Sequence, residues 1–216
     1  MYIVIDEPNT ARFHMKADYE LFSCQKPTMR IYEWSNFCIT YGLFKDPSAL
    51  LHDQYADIEV EVVKRPTGGG LLFHEHDLVF SFFFPRSHFL WEAPLHERVS
   101  WLNKELLQVL DPWLPEGISQ EVGRSSSDFC LAQQSEIDLC WAGYKIGGSA
   151  QRRKREGILH QCSLFVSTPN WNRIESLVGT KICSSMQQIS CSLESWGVVD
   201  KEKVKSAMVR HFAVWQ

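Results

Sequence analysis

The run Arg65-Pro-Thr-Gly-Gly-Gly-Leu-Leu-Phe-His74, followed almost at once by the apolar stretch Leu78–Phe84, constrains the fold more than any other part of this chain. Three consecutive glycines leave backbone N–H groups uncovered and permit φ > 0. Leu71, Leu72 and Phe73, and then 78–84, read as buried strands. The glycines are therefore expected at a strand edge facing a cavity. There, successive N–H groups can converge on an anion, and Arg65 adds a fork of donors suited to phosphate or carboxylate.

A second segment, Lys145-Ile-Gly-Gly-Ser-Ala-Gln-Arg-Arg153, repeats the logic. It is read as a loop in which Lys145 precedes a Gly-Gly-Ser turn and two arginines. The plainer reading of both segments is a flexible hairpin turn and a surface lysine, since glycine clusters mark turns. Neither is a phosphate loop of the Gly-Lys-Ser/Thr kind.

Along the rest of the chain, residues 1–6 read as a strand and 9–24 as a helix capped by Asn9 or Thr10. Residues 29–42 give one or two strands, and 58–64 are rich in β-branched residues. Residues 95–110 read as an amphipathic helix with Val99, Leu102, Leu106, Val109 and Leu110 on one face. Short strands are expected at 128–132, 137–146 and 158–166, and helices at 170–178 and 200–213. Strands come in blocks rather than alternating with helices, which favours an α+β fold.

A length of 216 residues suits one domain spanning 1–216, and a hydrophobic share of 44% is ample for a core. Net charge is −4 with no basic block, so nucleic acid is not the expected partner. No apolar run approaches the ~20 residues that span a membrane, and Met1–Asp6 does not read as a signal segment. Seven cysteines (24, 38, 130, 140, 162, 183, 191) form no Cys-x-x-Cys pair, which reads as reduced thiols in a cytoplasmic protein. His74-Glu-His76-Asp77 allows a two-histidine metal site if the strand continues through His76, against a plain strand histidine at position 74.

Taken together, the two segments resemble the lipoate–protein ligase family. That family carries Arg-x-Ser/Thr-Gly-Gly-Gly-x-x-x-His, matched by Arg65, Thr67, Gly68, Gly69, Gly70 and His74. It also carries Lys-x-x-Gly-Ser-Ala-x-Arg, matched by Lys145, Gly148, Ser149, Ala150 and Arg152. Met29–Trp34 looks like the family's strand before the site, and Met15–Asp18 like its first helix. The resemblance covers most of residues 1–170. It implies the fold of class II aminoacyl-tRNA synthetases and biotin synthetases, a mixed, largely antiparallel sheet flanked by helices.

The activity so implied is ATP-dependent activation of lipoate, or octanoate, to an acyl-adenylate. A lysine of a lipoyl domain then attacks it, on a 2-oxoacid dehydrogenase E2 subunit or the glycine cleavage H protein. By resemblance Lys145 is the catalytic cation. Arg65, the glycine turn, His74 and Gly148–Ala150 contact ATP or the acyl group, and Asp128, in Gly123-Arg-Ser-Ser-Ser-Asp128, helps hold ATP and Mg2+.

Three departures qualify this. The family's Asn is missing beside Asp128. His160-Gln161-Cys162 stands where the family shows His-Gly. The ~46 residues after 170 are too few for the accessory domain common among such ligases, so a separate accessory protein is one expectation. Two alternatives also stand. One is an octanoyltransferase using a thioester on Cys130, because related transferases carry a cysteine fifteen residues before the equivalent lysine. Against it, those transferases tend to have arginine at the third glycine, where this chain keeps Gly70. The other is a degenerate paralogue that binds lipoyl domains without chemistry.

Overall fold

The computed structural model of the protein describes residues 1–49, 51, 60–116 and 138–215. The expected strands at 128–132, with Asp128 and Cys130, lie outside the described residues.

The phenylalanine-rich run forms the centre of the fold. As β6 (Leu78–Pro85) it is buried along its whole length, as expected of a strand covered on both faces. Phe80, Phe82 and Phe84 point to one core, while Val79 and Phe83 belong to clusters on the other side. Around β6 stand β1 (Tyr2–Ile5), β2 (Thr28–Tyr32), β7 (Leu139–Trp141), β8 (Tyr144–Lys154) and β9 (Gly157–Leu164), in the order β1-β2-β6-β9-β8-β7. Within this sheet only β1 and β2, among the described strands, pair in parallel. A smaller sheet has the order β4-β3-β5, with β3 (Cys38–Tyr41) parallel to β4 (Glu61–Lys64) and antiparallel to β5 (Leu71–His74). The expected 29–42 and 71–84 strand regions thus each split, one half going to each sheet.

Helices cover the faces. Thr10, not Asn9, caps α1 (Ala11–Glu20) through Phe13 N–H, and a 3₁₀ turn at Leu21–Ser23 follows. α2 (Leu95–Leu110) buries Leu102, Leu106 and Leu110 against β6, on the face its periodicity predicts. Asn170 caps α3 (Trp171–Val178), and α4 (Thr180–Ile189) packs Cys183 and Met186 on the small sheet. The sequence reading missed α4, whose Ser- and Cys-bearing sequence has weak helix propensity. α5 (Lys201–Ala213) closes the core with Val204, Met208 and Phe212. No described helix is long and apolar enough to cross a membrane.

The Lys145 segment is corrected: it is strand, not loop. β7 and β8 are joined by Ala142 (φ 54°) and Gly143 (φ 79°), the positive-φ pair of a two-residue hairpin. Gly147 to Lys154 then pair continuously with β9, so this backbone serves a ladder rather than a converging set of N–H groups.

A polar network is buried between α1 and the large sheet. The Asp18 carboxylate accepts from Tyr32 OH at 2.7 Å, Ser81 Oγ at 2.6 Å, Gln161 Nε2 at 2.6 Å, and the Arg30 guanidinium. Arg30 also reaches Asp6 at 2.7 Å. Every partner of Asp18 is a donor, as an ionised carboxylate requires, although burial pushes its pKa up.

Two predictions follow from this packing. His14 and His160 are buried. Burial pushes His160 down to about 3, and burial with the neighbouring Arg30 pushes His14 down to about 4. Unfolded histidine titrates near ~6.5. Below that pH the unfolded chain takes up protons that the folded one refuses. Stability is therefore complete above pH ~6.5 and falls towards pH ~4, by about 1.4 kcal/mol per pH unit for each histidine. Urea midpoints at neutral pH and near pH ~5 measure the slope, and His160→Gln is expected to flatten it.

The second concerns Gly42, where a Cβ would sit 2.0 Å from the Gly69 carbonyl oxygen. Gly42→Ala is expected to lower stability by about 1–3 kcal/mol and to speed hydrogen exchange in the Gly68–Gly70 turn. Unchanged exchange there would show that the close approach is dispensable.

Candidate active site

The two sheets do not meet along their whole length. Between them lies a cleft with about 450 Å³ of empty space, open solvent included. Met15, Tyr32, Trp34, Leu72 and Val79 make much of its wall apolar, and Thr40, Arg65, His74, Asp138, Lys145 and Gln161 add polar groups.

Lys145 enters this space because of a bulge. Leu139 pairs with Gly147 but Cys140 pairs with Lys145, so Ile146 is an extra residue on β8. A bulge re-aims the side chains beside it. The Lys145 side chain is 2% exposed, and its ammonium lies 2.8 Å from Asp138 Oδ1. A Cβ on Gly148 would sit 3.7 Å from Lys145 Cε. Gly148 thus leaves the lysine a bare strand surface to lie on, and any side chain longer than a methyl would crowd it. Behind the strand, the Lys145 carbonyl accepts from Cys191 N–H at 2.9 Å.

The glycine turn is placed differently from expectation. It links β4 to β5 across the end of β3, and Gly68, Gly69 and Gly70 are not among the residues lining the cavity. Gly42 N–H donates to the Gly70 carbonyl at 3.3 Å and Leu43 N–H to the Thr67 carbonyl at 2.9 Å. Gly69 has φ 93° and is exposed, and nothing lies within 4 Å of a Cβ on Gly68. The turn therefore offers open backbone at the rim. Arg65 lines the cavity but folds back on its own turn, with Nε donating to the Gly68 carbonyl at 2.9 Å. Thr67 is buried and donates to Gln161 Oε1 at 2.6 Å, and Gln161 in turn donates to Asp18. Arg152 reaches the Pro66 carbonyl at 3.1 Å, tying β8 to the same turn. Gly148, Ser149 and Ala150 line the wall beside Lys145.

His74 ends β5, with Nδ1 2.7 Å from Asp77 Oδ2 and Nε2 2.8 Å from Thr40 Oγ1. Its strand does not continue through His76, whose side chain is 54% exposed. The two-histidine metal reading therefore falls, and among the described residues no group of three or more His, Cys, Asp or Glu could hold a metal ion. Cys162 lines the cavity, but burial pushes it up to about 12, so it stays a thiol.

Sequence reasoning missed Asp138, Gln161, Thr40 and Asp77. Asp77 left a trace in the His74–Asp77 run, where it was weighed as part of a metal motif, and Gln161 in His160-Gln161-Cys162, where it was read only as a departure from the family pattern.

An octanoyltransferase LipM of Carboxydothermus hydrogenoformans is 30% identical over 144 residues, 65% of this chain and 53% of that protein. The chain thus spans about half the length of the curated relative it matches. A candidate lipoate protein ligase from T. acidophilum with bound lipoic acid superposes with a TM-score of 0.77 at 16% identity, covering 98% of this chain and 83% of that one. A lipoate-protein ligase A bound with ATP gives 0.76 at 16% identity, with the same coverage. At such identity the likeness is one of fold: the α+β architecture shared by lipoate and biotin protein ligases. The family model for the lipoyl protein ligase A/B catalytic domain matches residues 10–213, and the chain belongs to that family.

Proposed function

We propose that this protein attaches a lipoyl or octanoyl group to a lysine of a lipoyl carrier domain. The observation that carries this reading is Lys145, its side chain 2% exposed and its ammonium held at 2.8 Å by Asp138 in a largely apolar cavity. An apolar slot takes the hydrocarbon chain, and a fixed cation at its polar end stabilises the charge that develops on an acyl oxygen. Asp138 holds the lysine in place.

For activation we infer ATP. The acid's carboxylate attacks the α-phosphate and pyrophosphate leaves. The carrier's lysine amine then attacks the acyl carbonyl and AMP leaves. The Gly68–Gly70 turn, exposed at Gly69 and half-buried at Gly68, supplies N–H donors for the nucleotide, and Gly70 matches the ligase pattern. Asp138 is the one carboxylate among the described residues lining the cavity, and it is paired with Lys145. The described residues therefore do not assemble a magnesium site.

A second reading has its own support. Cys130 stands fifteen residues before Lys145, and the relative quoted above is named an octanoyltransferase. A thiolate there would take an octanoyl group from a carrier thioester without ATP.

Intact-mass spectrometry of an apo lipoyl domain separates these routes. A lipoyl mass gain that needs ATP supports the ligase. A gain only from octanoyl carrier, abolished in Cys130→Ser, supports the transferase. No gain under either condition points to a missing accessory protein or to a binding paralogue. In the active condition Lys145→Ala is expected to cut transfer by about 100-fold or more with an unchanged far-ultraviolet spectrum. Transfer at the wild-type rate would remove Lys145 from the site.

A further inference from the structure

Thr40, His74 and Asp77 form a hydrogen-bonded line that the acyl-attachment chemistry does not use. Asp77 Oδ2 lies 2.7 Å from His74 Nδ1, and His74 Nε2 lies 2.8 Å from Thr40 Oγ1. Asp77 also accepts from Ser163 Oγ at 2.6 Å and from Glu75 N–H at 3.2 Å. Burial acts to raise its pKa, but His74 and Ser163 outweigh that and hold it below the usual carboxylate range. An ionised carboxylate only accepts, so it keeps the imidazole proton on Nδ1 and leaves Nε2 to accept from the Thr40 hydroxyl.

Two further contacts refine the arrangement. The Thr40 oxygen accepts from Arg65 NH1 at 3.3 Å, a cation placed to stabilise negative charge on that oxygen. The His74 ring lies against Trp34 with centroids 4.3 Å apart, which fixes its orientation. Thr40 and His74 both line the cavity that holds Lys145. A mere strut between strands needs the hydrogen bonds but not an opening onto an apolar cavity. Nor does it need the order acid, base, hydroxyl that activates nucleophiles in acyl transfer.

We propose that Thr40 is an acyl acceptor, and that the protein discharges a bound, activated medium-chain acyl group to water through a Thr40 ester. In the first step the Thr40 proton passes to His74 Nε2 as Oγ1 bonds to the acyl carbon. The bond from that carbon to its leaving group breaks, and the leaving group takes the proton from His74. In the second step water gives a proton to His74 Nε2 while its oxygen attacks the ester carbon. The carbon–Oγ1 bond breaks, Thr40 regains the proton, and the free acid departs. Water is the only co-reactant. The proposal rests on the reading above for the class of acyl group, but not for ATP or the carrier.

The test uses the full chain with 4-nitrophenyl octanoate, without ATP or carrier. Nitrophenol release above the buffer rate is expected, with an octanoyl adduct in the peptide containing Thr40 after acid quench. Thr40→Val is expected to lower release by about 100-fold or more and to abolish the adduct. Asp77→Asn is expected to lower release by a similar factor by reversing the imidazole tautomer. Thr40→Ser keeps the hydroxyl and is expected to retain turnover, which guards against loss through misfolding. The proposal is overturned if Thr40→Val matches wild type, if the adduct maps to Cys130 or Lys145 instead, or if wild type leaves the ester intact. Carrier modification alongside an untouched ester would sink only this inference. Absence of both would remove the acyl reading as well.

Discussion

The buried Asp18 carboxylate is the contact on which the rest of the site depends. It receives donors from β2 (Arg30, Tyr32), β6 (Ser81) and β9 (Gln161) while sitting on α1. A carboxylate out of water is costly unless its oxygens are satisfied, so α1 can dock in one position only. Gln161 then spends its carbonyl on Thr67, which carries that position to the start of the glycine turn. A surface turn with three glycines has little order of its own. Here it is held by Thr67 on one side and by the close approach of Gly42 on the other.

The cavity follows from the same arrangement. Its walls come from residues as distant in the chain as Met15 and Ser163. Thr40, His74, Asp77 and Ser163 satisfy one another across both sheets. Opposite them, one bulged residue on β8 delivers Lys145 to the same space. The geometry sets apolar wall residues beside two buried cations, Lys145 and Arg65.

The curated relative is named an octanoyltransferase and the solved structures lipoate-protein ligases. In this chain the cavity and Lys145 are the part of the candidate site that lies within the described residues. The residues that would distinguish an adenylate from a thioester, Asp128 and Cys130, lie outside the described residues.

Much of the secondary structure was legible because periodicity and turn chemistry are local. The 95–110 helix, the strands at 71–84 and 158–166, and the family signature could be read from residue order alone. The segment after Lys145 was not, since glycine and serine favour turns in isolation and only pairing with β9 made it a strand. The partners of the site residues were also hidden: no spacing rule links Lys145 to Asp138, Thr67 to Gln161, or His74 to Thr40. Residue order by itself determined which side chains could carry chemistry and that the chain would build an α+β fold. The tertiary structure alone decided which of them meet, because a hydrogen bond between distant strands depends on sheet register and burial, and neither is written in any short stretch of sequence.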